Sequence, residues 1–394
     1  MQDFPPTAAS GRRSGFRGID NVTCDYIELA LPGVRQLTPY QPGKPIEELE
    51  RELGITGSVK LASNENPLGP SLRAMDAARG VIEGISFYPD GNGFALKAAL
   101  ATHTGAGPAQ ITLGNGSNEI LELVARAWLA PGREAIFSEH AFAVYPIVTQ
   151  AVGATARVAR ANPADHAMPH GHDLDAIADL INAETRVIFI ANPNNPTGTW
   201  LTRDALEAFL DRVPESVIVV LDEAYFEYVE EAAYPDGMAW VGRYPNLIVT
   251  RTFSKIYGLA GLRIGYAVSS PQVADVLNRV RQPFNTSLIA QAAAVAALGD
   301  REHVAESVRV NREGLAQLVA GCETRGWGYI PSVGNFLCID VGADAGGVYQ
   351  ALLREGVIVR PVGNYGLPNH LRVTVGTSKQ NERVLAALAK VRGA

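Results

Sequence analysis

Three runs of consecutive aliphatic and β-branched residues punctuate the middle of the chain: Val187-Ile188-Phe189-Ile190, Val217-Ile218-Val219-Val220-Leu221 and Leu247-Ile248-Val249-Thr250. Apolar character at every position, rather than every second one, predicts strands buried on both faces, as in a parallel sheet covered by helices. Between them, residues 201–213 (LTRDALEAFLDRV) repeat apolar positions at helical spacing behind Thr202, a cap candidate. Residues 118–129 (NEILELVARAWL) show the same spacing, with Ser117 or Asn118 as the cap. This alternation, which starts near Leu61, predicts an α/β domain with right-handed crossovers. The last hundred or so residues change character. Helical spacing at 287–298 and 302–319 leads into a strand at 336–340, a helix at 348–355, a strand at 371–375 and a closing helix at 382–391. The pattern predicts a smaller α+β domain beyond a boundary at 283–287.

Composition narrows the functional classes. A formal charge of -7 argues against sequence-independent binding to nucleic acid, which needs a basic face. Charges, Gly or Pro interrupt every apolar stretch before bilayer length, so no membrane span is expected. Cys24, Cys322 and Cys338 form neither a CxxC pair nor an even framework. They fit a reducing compartment, the cytoplasm, and neither a zinc site nor a disulfide scaffold. The first twenty residues are rich in Gly, Pro, Ser and Arg, and no hydrophobic segment follows Arg12-Arg13. They read as a flexible cytosolic arm rather than an export signal. His170 and His172, two apart in a Pro/Gly-rich stretch, are expected to be exposed, and no metal is assigned.

Four segments carry candidate chemistry, each after a strand. Thr252-Phe253-Ser254-Lys255 continues to Arg263 and places Lys255 in a loop at a strand's carboxyl end, the edge where open α/β sheets bind ligands. No carboxylate is near Lys255 in sequence, and desolvation would make its amine a nucleophile suited to Schiff-base chemistry. Arg263 and the Thr252 and Ser254 hydroxyls suit a phosphate. Asp222, ending a buried strand, needs a cation or several donors, and a protonated pyridine nitrogen would serve; Tyr225 suits the ring's phenolic oxygen. The turn from Gly114 through Gly116 to Ser117 and Asn118 presents helix-start amides to a phosphate, although such a turn alone is common packing grammar. Two Asn-Pro steps at 192–196 fix a backbone path that lets Asn195 reach a ring hydroxyl. No GxxxxGK[ST] loop and no GxGxxG fingerprint supports a nucleotide instead.

In this order, these motifs resemble the fold-type I, aspartate-aminotransferase-like superfamily of pyridoxal-phosphate enzymes, and within it the histidinol-phosphate aminotransferases. The resemblance spans residues 29–391 and is strengthened by residues 37–45 (LTPYQPGKP), 61–67 (LASNENP), Tyr88-Pro89-Asp90 and 369–376 (NHLRVTVG). It implies a large cofactor domain over 69–286 and a small domain over 287–394. It also implies an arm over 1–25 and a segment, 26–68, that packs on the small domain and on the partner subunit. Pyridoxal 5'-phosphate would be held covalently by Lys255, with Asp222, Asn195 and Tyr225 on its ring and Phe142 stacked on its face. Gly116, Ser117, Asn118, Thr252, Ser254 and Arg263 would hold its phosphate, with Tyr88 reaching in from the other protomer of a homodimer. Tyr40 would close over the partner's substrate, while Arg372 and Arg360 would hold the substrate's anionic end. Many relatives have a tyrosine where this chain has Phe142, so only stacking is carried over there. The implied reaction is transfer of the amino group of histidinol phosphate to 2-oxoglutarate, forming glutamate. A phenylalanine or tyrosine aminotransferase, or a lyase akin to threonine-phosphate decarboxylase, fits the same scaffold. A cofactor-bound regulator lacks a DNA-binding module here.

Overall fold

The structure, a computed structural model, describes residues 25–342 and 344–393. The arm expected at the start, with Cys24, lies outside the described residues but for Asp25. Continuous apolar runs become the centre of a seven-stranded sheet. Its spatial order is Ile111–Gly114, Gly265–Ser269, Leu247–Thr252, Ile218–Asp222, Thr185–Ala191, Glu134–Ser138, Thr155–Ala159. Gly265–Ser269 runs antiparallel to both its neighbours, and the remaining pairs are parallel. Both faces are buried, as the unbroken hydrophobicity requires. Ile188, Ile190, Val219, Leu221 and Val249 belong to one apolar cluster, while Val187, Phe189, Ile218, Val220 and Ile248 belong to another.

Thr202 caps the helix Arg203–Leu210, its hydroxyl accepting from the Ala205 N–H at 3.3 Å. The helix expected at 118–129 instead covers Gly116–Trp128, with Asn115 at the cap position. Neither Ser117 nor Asn118 caps it. Gly116 takes a φ of +72°, which turns the chain into the helix and leaves both residues in the first turn. Among the described residues, no helix is long and apolar enough to cross a membrane.

The C-terminal unit is a four-stranded antiparallel sheet, ordered Arg360–Pro361, His370–Thr374, Phe336–Asp340, Tyr329–Ile330. Helices Ala345–Arg354 and Ser378–Arg392 and the end of Arg301–Thr324 share its apolar cluster. The N-terminal segment is stitched to this unit. Val59–Lys60 pairs in parallel with Val357–Ile358, and the Leu61 carbonyl accepts from the Thr374 N–H at 2.8 Å. The change of core falls later than 283–287. Ala290, Ala293, Ala294 and Ala297 of helix Leu288–Leu298 join the cluster of the large sheet. Helix Arg301–Thr324 spans the seam, with Val304 and Val308 against the large cluster and Leu318 and Cys322 in the small one. An alanine-rich helix carries no signature of which core it joins, so its period did not reveal this.

His172 is buried, not exposed: its Nε2 lies 2.9 Å from the Ala191 carbonyl oxygen, and burial lowers its pKa to about 4. The short spacing from His170 gave no warning that the loop folds back over a strand end.

Gly314, in the middle of the long helix, tests how tightly the small core closes. A Cβ there would lie 2.6 Å from Val375 Cγ1 and 2.8 Å from Asn381 Nδ2. Alanine is the better helix former by about 1 kcal/mol, yet Gly314→Ala should lower stability by about 1–3 kcal/mol through overpacking. Chemical denaturation checks the sign; a more stable variant would show that the contact yields freely.

Candidate active site

The carboxyl ends of the central strands open on a cavity of about 360 Å³. Ala191, Asp222 and Thr252 end three adjacent strands and line it. Most residues singled out in sequence converge there: Ser117, Asn118, Phe142, Asn195, Asp222, Tyr225, Thr252, Ser254, Lys255, Arg263, Arg372 and Tyr40.

Lys255 Nζ donates to the Ser63 carbonyl at 2.9 Å. Desolvation, then the nearby Arg372 guanidinium, lower its pKa to about 7. Its amine is therefore substantially neutral, and nucleophilic, near neutral pH. Asp222 is buried, and each carboxylate oxygen accepts from a hydroxyl: Tyr145 Oη to Oδ2 at 2.9 Å and Thr250 Oγ1 to Oδ1 at 3.0 Å. Burial pushes its pKa up, while these donors, the Ala224 N–H and the Lys255 charge pull it down. Tyr225 accepts a 2.9 Å hydrogen bond from Asn64 Nδ2, and burial pushes its pKa up to about 12. It is a neutral phenol across the working range.

Ser117 and Asn118, at a helix start, line the same cavity as Thr252, Ser254 and Arg263. Arg263 has a φ of +53° and donates from Nη1 to Ser254 Oγ at 3.3 Å and to the Ala260 carbonyl at 3.0 Å. Gly116 lies behind that guanidinium. A Cβ there would stand 2.3 Å from Arg263 Nη2, so the residue makes room for the arginine rather than lining the cavity.

At the other end, Arg372 donates to Asn195 Oδ1 and, at 2.6 Å, to the Ala62 carbonyl. Its Nε is buried without a partner among the described residues. Arg360 stands opposite Arg372 in the antiparallel register but lines an adjoining cavity of about 700 Å³. Tyr40 lines both cavities, and the Arg360 guanidinium lies 5.3 Å from its ring centre. Tyr40 therefore sits against the site of its own chain, with Thr38, Pro39, Gln41 and Pro42 lining the adjoining cavity. Tyr88 stands outside its own cavity: it is 83% exposed and stacked on Phe284 at 4.6 Å.

Sequence reading missed four contributors: Tyr145, Thr250, Asn64 and the Ser63 carbonyl. Tyr145 sits three residues beyond Phe142, and Asn64 and Ser63 lie in the 61–67 motif. Only their contacts with Asp222, Tyr225 and Lys255 reveal what they do.

A lysine of lowered pKa, a buried carboxylate and a group of hydroxyl and guanidinium donors, all at this edge of this sheet, are the arrangement of a fold-type I aminotransferase. The chain belongs to the class I and II aminotransferases, whose family model, "Aminotransferase class I and II", matches residues 56–388. Among its relatives is histidinol-phosphate aminotransferase 2 of Pseudomonas aeruginosa, 59% identical over 369 residues, covering 93% of this chain and 98% of that one. The enzyme of the same name from Methylococcus capsulatus is 58% identical, covering 92% and 98%. The crystal structure of histidinol-phosphate aminotransferase from Sinorhizobium meliloti in complex with pyridoxal-5'-phosphate matches with a TM-score of 0.84 at 29% identity, covering 92% and 97%.

The lowered pKa of Lys255 is open to direct measurement. Only the unprotonated amine attacks an aldehyde, so covalent capture of pyridoxal phosphate by cofactor-free protein should quicken as pH rises through about 7, then level off. Arg372→Gln, which removes a lowering charge, should move that midpoint upward. A wild-type midpoint near that of a free lysine, about 10.4, would contradict the assignment.

Proposed function

We propose that the chain catalyses transamination of L-histidinol phosphate with 2-oxoglutarate, giving imidazole acetol phosphate and L-glutamate in histidine biosynthesis. The observation that carries the substrate choice is the facing pair Arg360 and Arg372 on adjacent strands, both buried. Neither makes an ion pair among the described residues, and Arg372 keeps an unpartnered Nε. A phosphate monoester dianion suits two guanidiniums better than one carboxylate does, because planar forks bond phosphate oxygens in pairs.

The residues present fit pyridoxal 5'-phosphate. Asp222 is a buried carboxylate with no cationic hydrogen-bond partner among the described residues, and Gly116 admits Arg263 to a cradle of donors. When bound, the cofactor supplies an electron-poor ring that accepts the electron pair left as the substrate's C–H bond next to nitrogen breaks. The protein does the rest. Ser117, Asn118, Thr252, Ser254 and Arg263 would hold its phosphate, Phe142 its face, and Asp222 its ring nitrogen. Tyr225 and Asn195 would meet the ring oxygen. Lys255 Nζ, once displaced by the substrate amine, would carry the proton between the two carbons that exchange it.

The exposed Tyr88 supports a homodimer in which each subunit lends this ring to the neighbouring cradle. The large unit would carry the cofactor, and the small unit with its stitched N-terminal segment would carry the substrate's anionic end. The composition supports a cytoplasmic setting.

A half-reaction titration followed by visible absorbance tests the reading. With no oxo-acid present, histidinol phosphate should convert the bound cofactor to its amine form at far lower concentration than phenylalanine does. A preference for phenylalanine, or release of carbon dioxide from phosphothreonine, would overturn the substrate assignment. Lys255→Ala should abolish turnover. Arg360→Gln should raise KM for histidinol phosphate roughly tenfold or more, the loss of one charge-assisted contact, while barely affecting phenylalanine.

A further inference from the structure

The buried carboxylate of Asp222 accepts from two side-chain hydroxyls. Tyr145 Oη donates to Oδ2 at 2.9 Å, and Thr250 Oγ1 donates to Oδ1 at 3.0 Å. Tyr145 is fully buried, stacked on Phe189 with ring centres 4.8 Å apart and 7° between planes. Phe142 meets it edge-on at 5.8 Å and 87°. The same phenol thus abuts both Phe142, which would stack on the cofactor, and Asp222, which would face its ring nitrogen. Thr250 lies on the adjacent strand, directly opposite Asp222 in the parallel register. Its buried hydroxyl cannot turn to water.

We propose that Tyr145 and Thr250 are positioning residues that keep the proton on the cofactor's ring nitrogen by drawing charge from Asp222. The inference rests on the proposed function, and deepens it. Two basic sites, the ring nitrogen and the carboxylate, share one proton. Each hydroxyl donated to the carboxylate stabilises its ionised form and lowers its affinity for that proton, so the proton stays on the ring. Burial acts the other way, favouring a neutral carboxyl group, which is why the donors matter. Both donors are neutral. Burial raises the Tyr145 pKa far above the ordinary phenol value, so its proton is available at every working pH. The two hydroxyls, with the Ala224 N–H, orient Asp222 without placing a cation in hydrogen-bond contact with it.

Tyr145→Phe keeps both aromatic contacts and deletes one donor; Thr250→Val keeps shape and deletes the other. Each protein would be loaded with cofactor labelled with ¹⁵N at the ring nitrogen. The resonance should move from the protonated towards the unprotonated position in each variant, and further in the double variant. kcat should fall about tenfold per donor, as for one hydrogen bond to a charged group, with KM for the amino donor unchanged. A purely structural role would instead lower the melting temperature and kcat while leaving the resonance in place, and that result overturns the inference. So does a wild-type resonance and wild-type kcat in both variants. A wild-type protein that shows no ring nitrogen signal from cofactor bound at Lys255 overturns the proposed function and this inference together. A normal wild-type signal with unmoved variants overturns this inference alone.

Discussion

Taking the Asp222 carboxylate out of water at the end of a strand apolar on both faces sets the terms for everything around it. A charge in that position is costly unless donors surround it and a cation completes the set. Two hydroxyls and a backbone amide supply the donors, and the Lys255 charge acts on the carboxylate within the same cavity. Lys255 answers the same desolvation from the other side of the cavity by giving up its proton near neutral pH. One burial thus acts in two directions, raising the pKa of the carboxylate and lowering that of the lysine.

The two arginines of the small unit obey a related constraint. Arg360 and Arg372 face each other across neighbouring strands, an arrangement of like charges that destabilises a sheet. Arg372 relieves part of this by donating to Asn195 and to the Ala62 carbonyl, and Arg360 by lying over the Tyr40 ring. An anion placed between the two guanidiniums would relieve the rest.

Much of the large unit was legible in the sequence, because strands buried on both faces announce themselves as unbroken aliphatic runs, and strand ends then locate Asp222, Asn195 and Lys255. Resemblance, rather than pattern, pointed to Phe142, Tyr40 and the arginine pair. What stayed hidden depends on contacts between distant segments. The 222–145 and 225–64 hydrogen bonds leave no local trace, since a tyrosine or an asparagine in a helix or loop has many uses. The alanine-rich helix Leu288–Leu298 concealed its allegiance for the opposite reason: small side chains pack against any core. His172 shows that polarity alone misjudges exposure where a loop turns back under a strand end.

The stitching of the N-terminal segment to the C-terminal unit also orders events in time. Ser63 and Asn64, which touch Lys255 and Tyr225, follow Val59–Lys60, which pairs with Val357–Ile358, and Asn64 and Leu61 are hydrogen-bonded to Thr374. During synthesis the large sheet has all its strands once residue 269 has emerged, yet the floor beneath its lysine is still missing. The ribosome must deliver another hundred or so residues before that floor can be laid. A chain cut before Val357 would lack the partners that anchor Ser63 and Asn64 beside Lys255 and Tyr225.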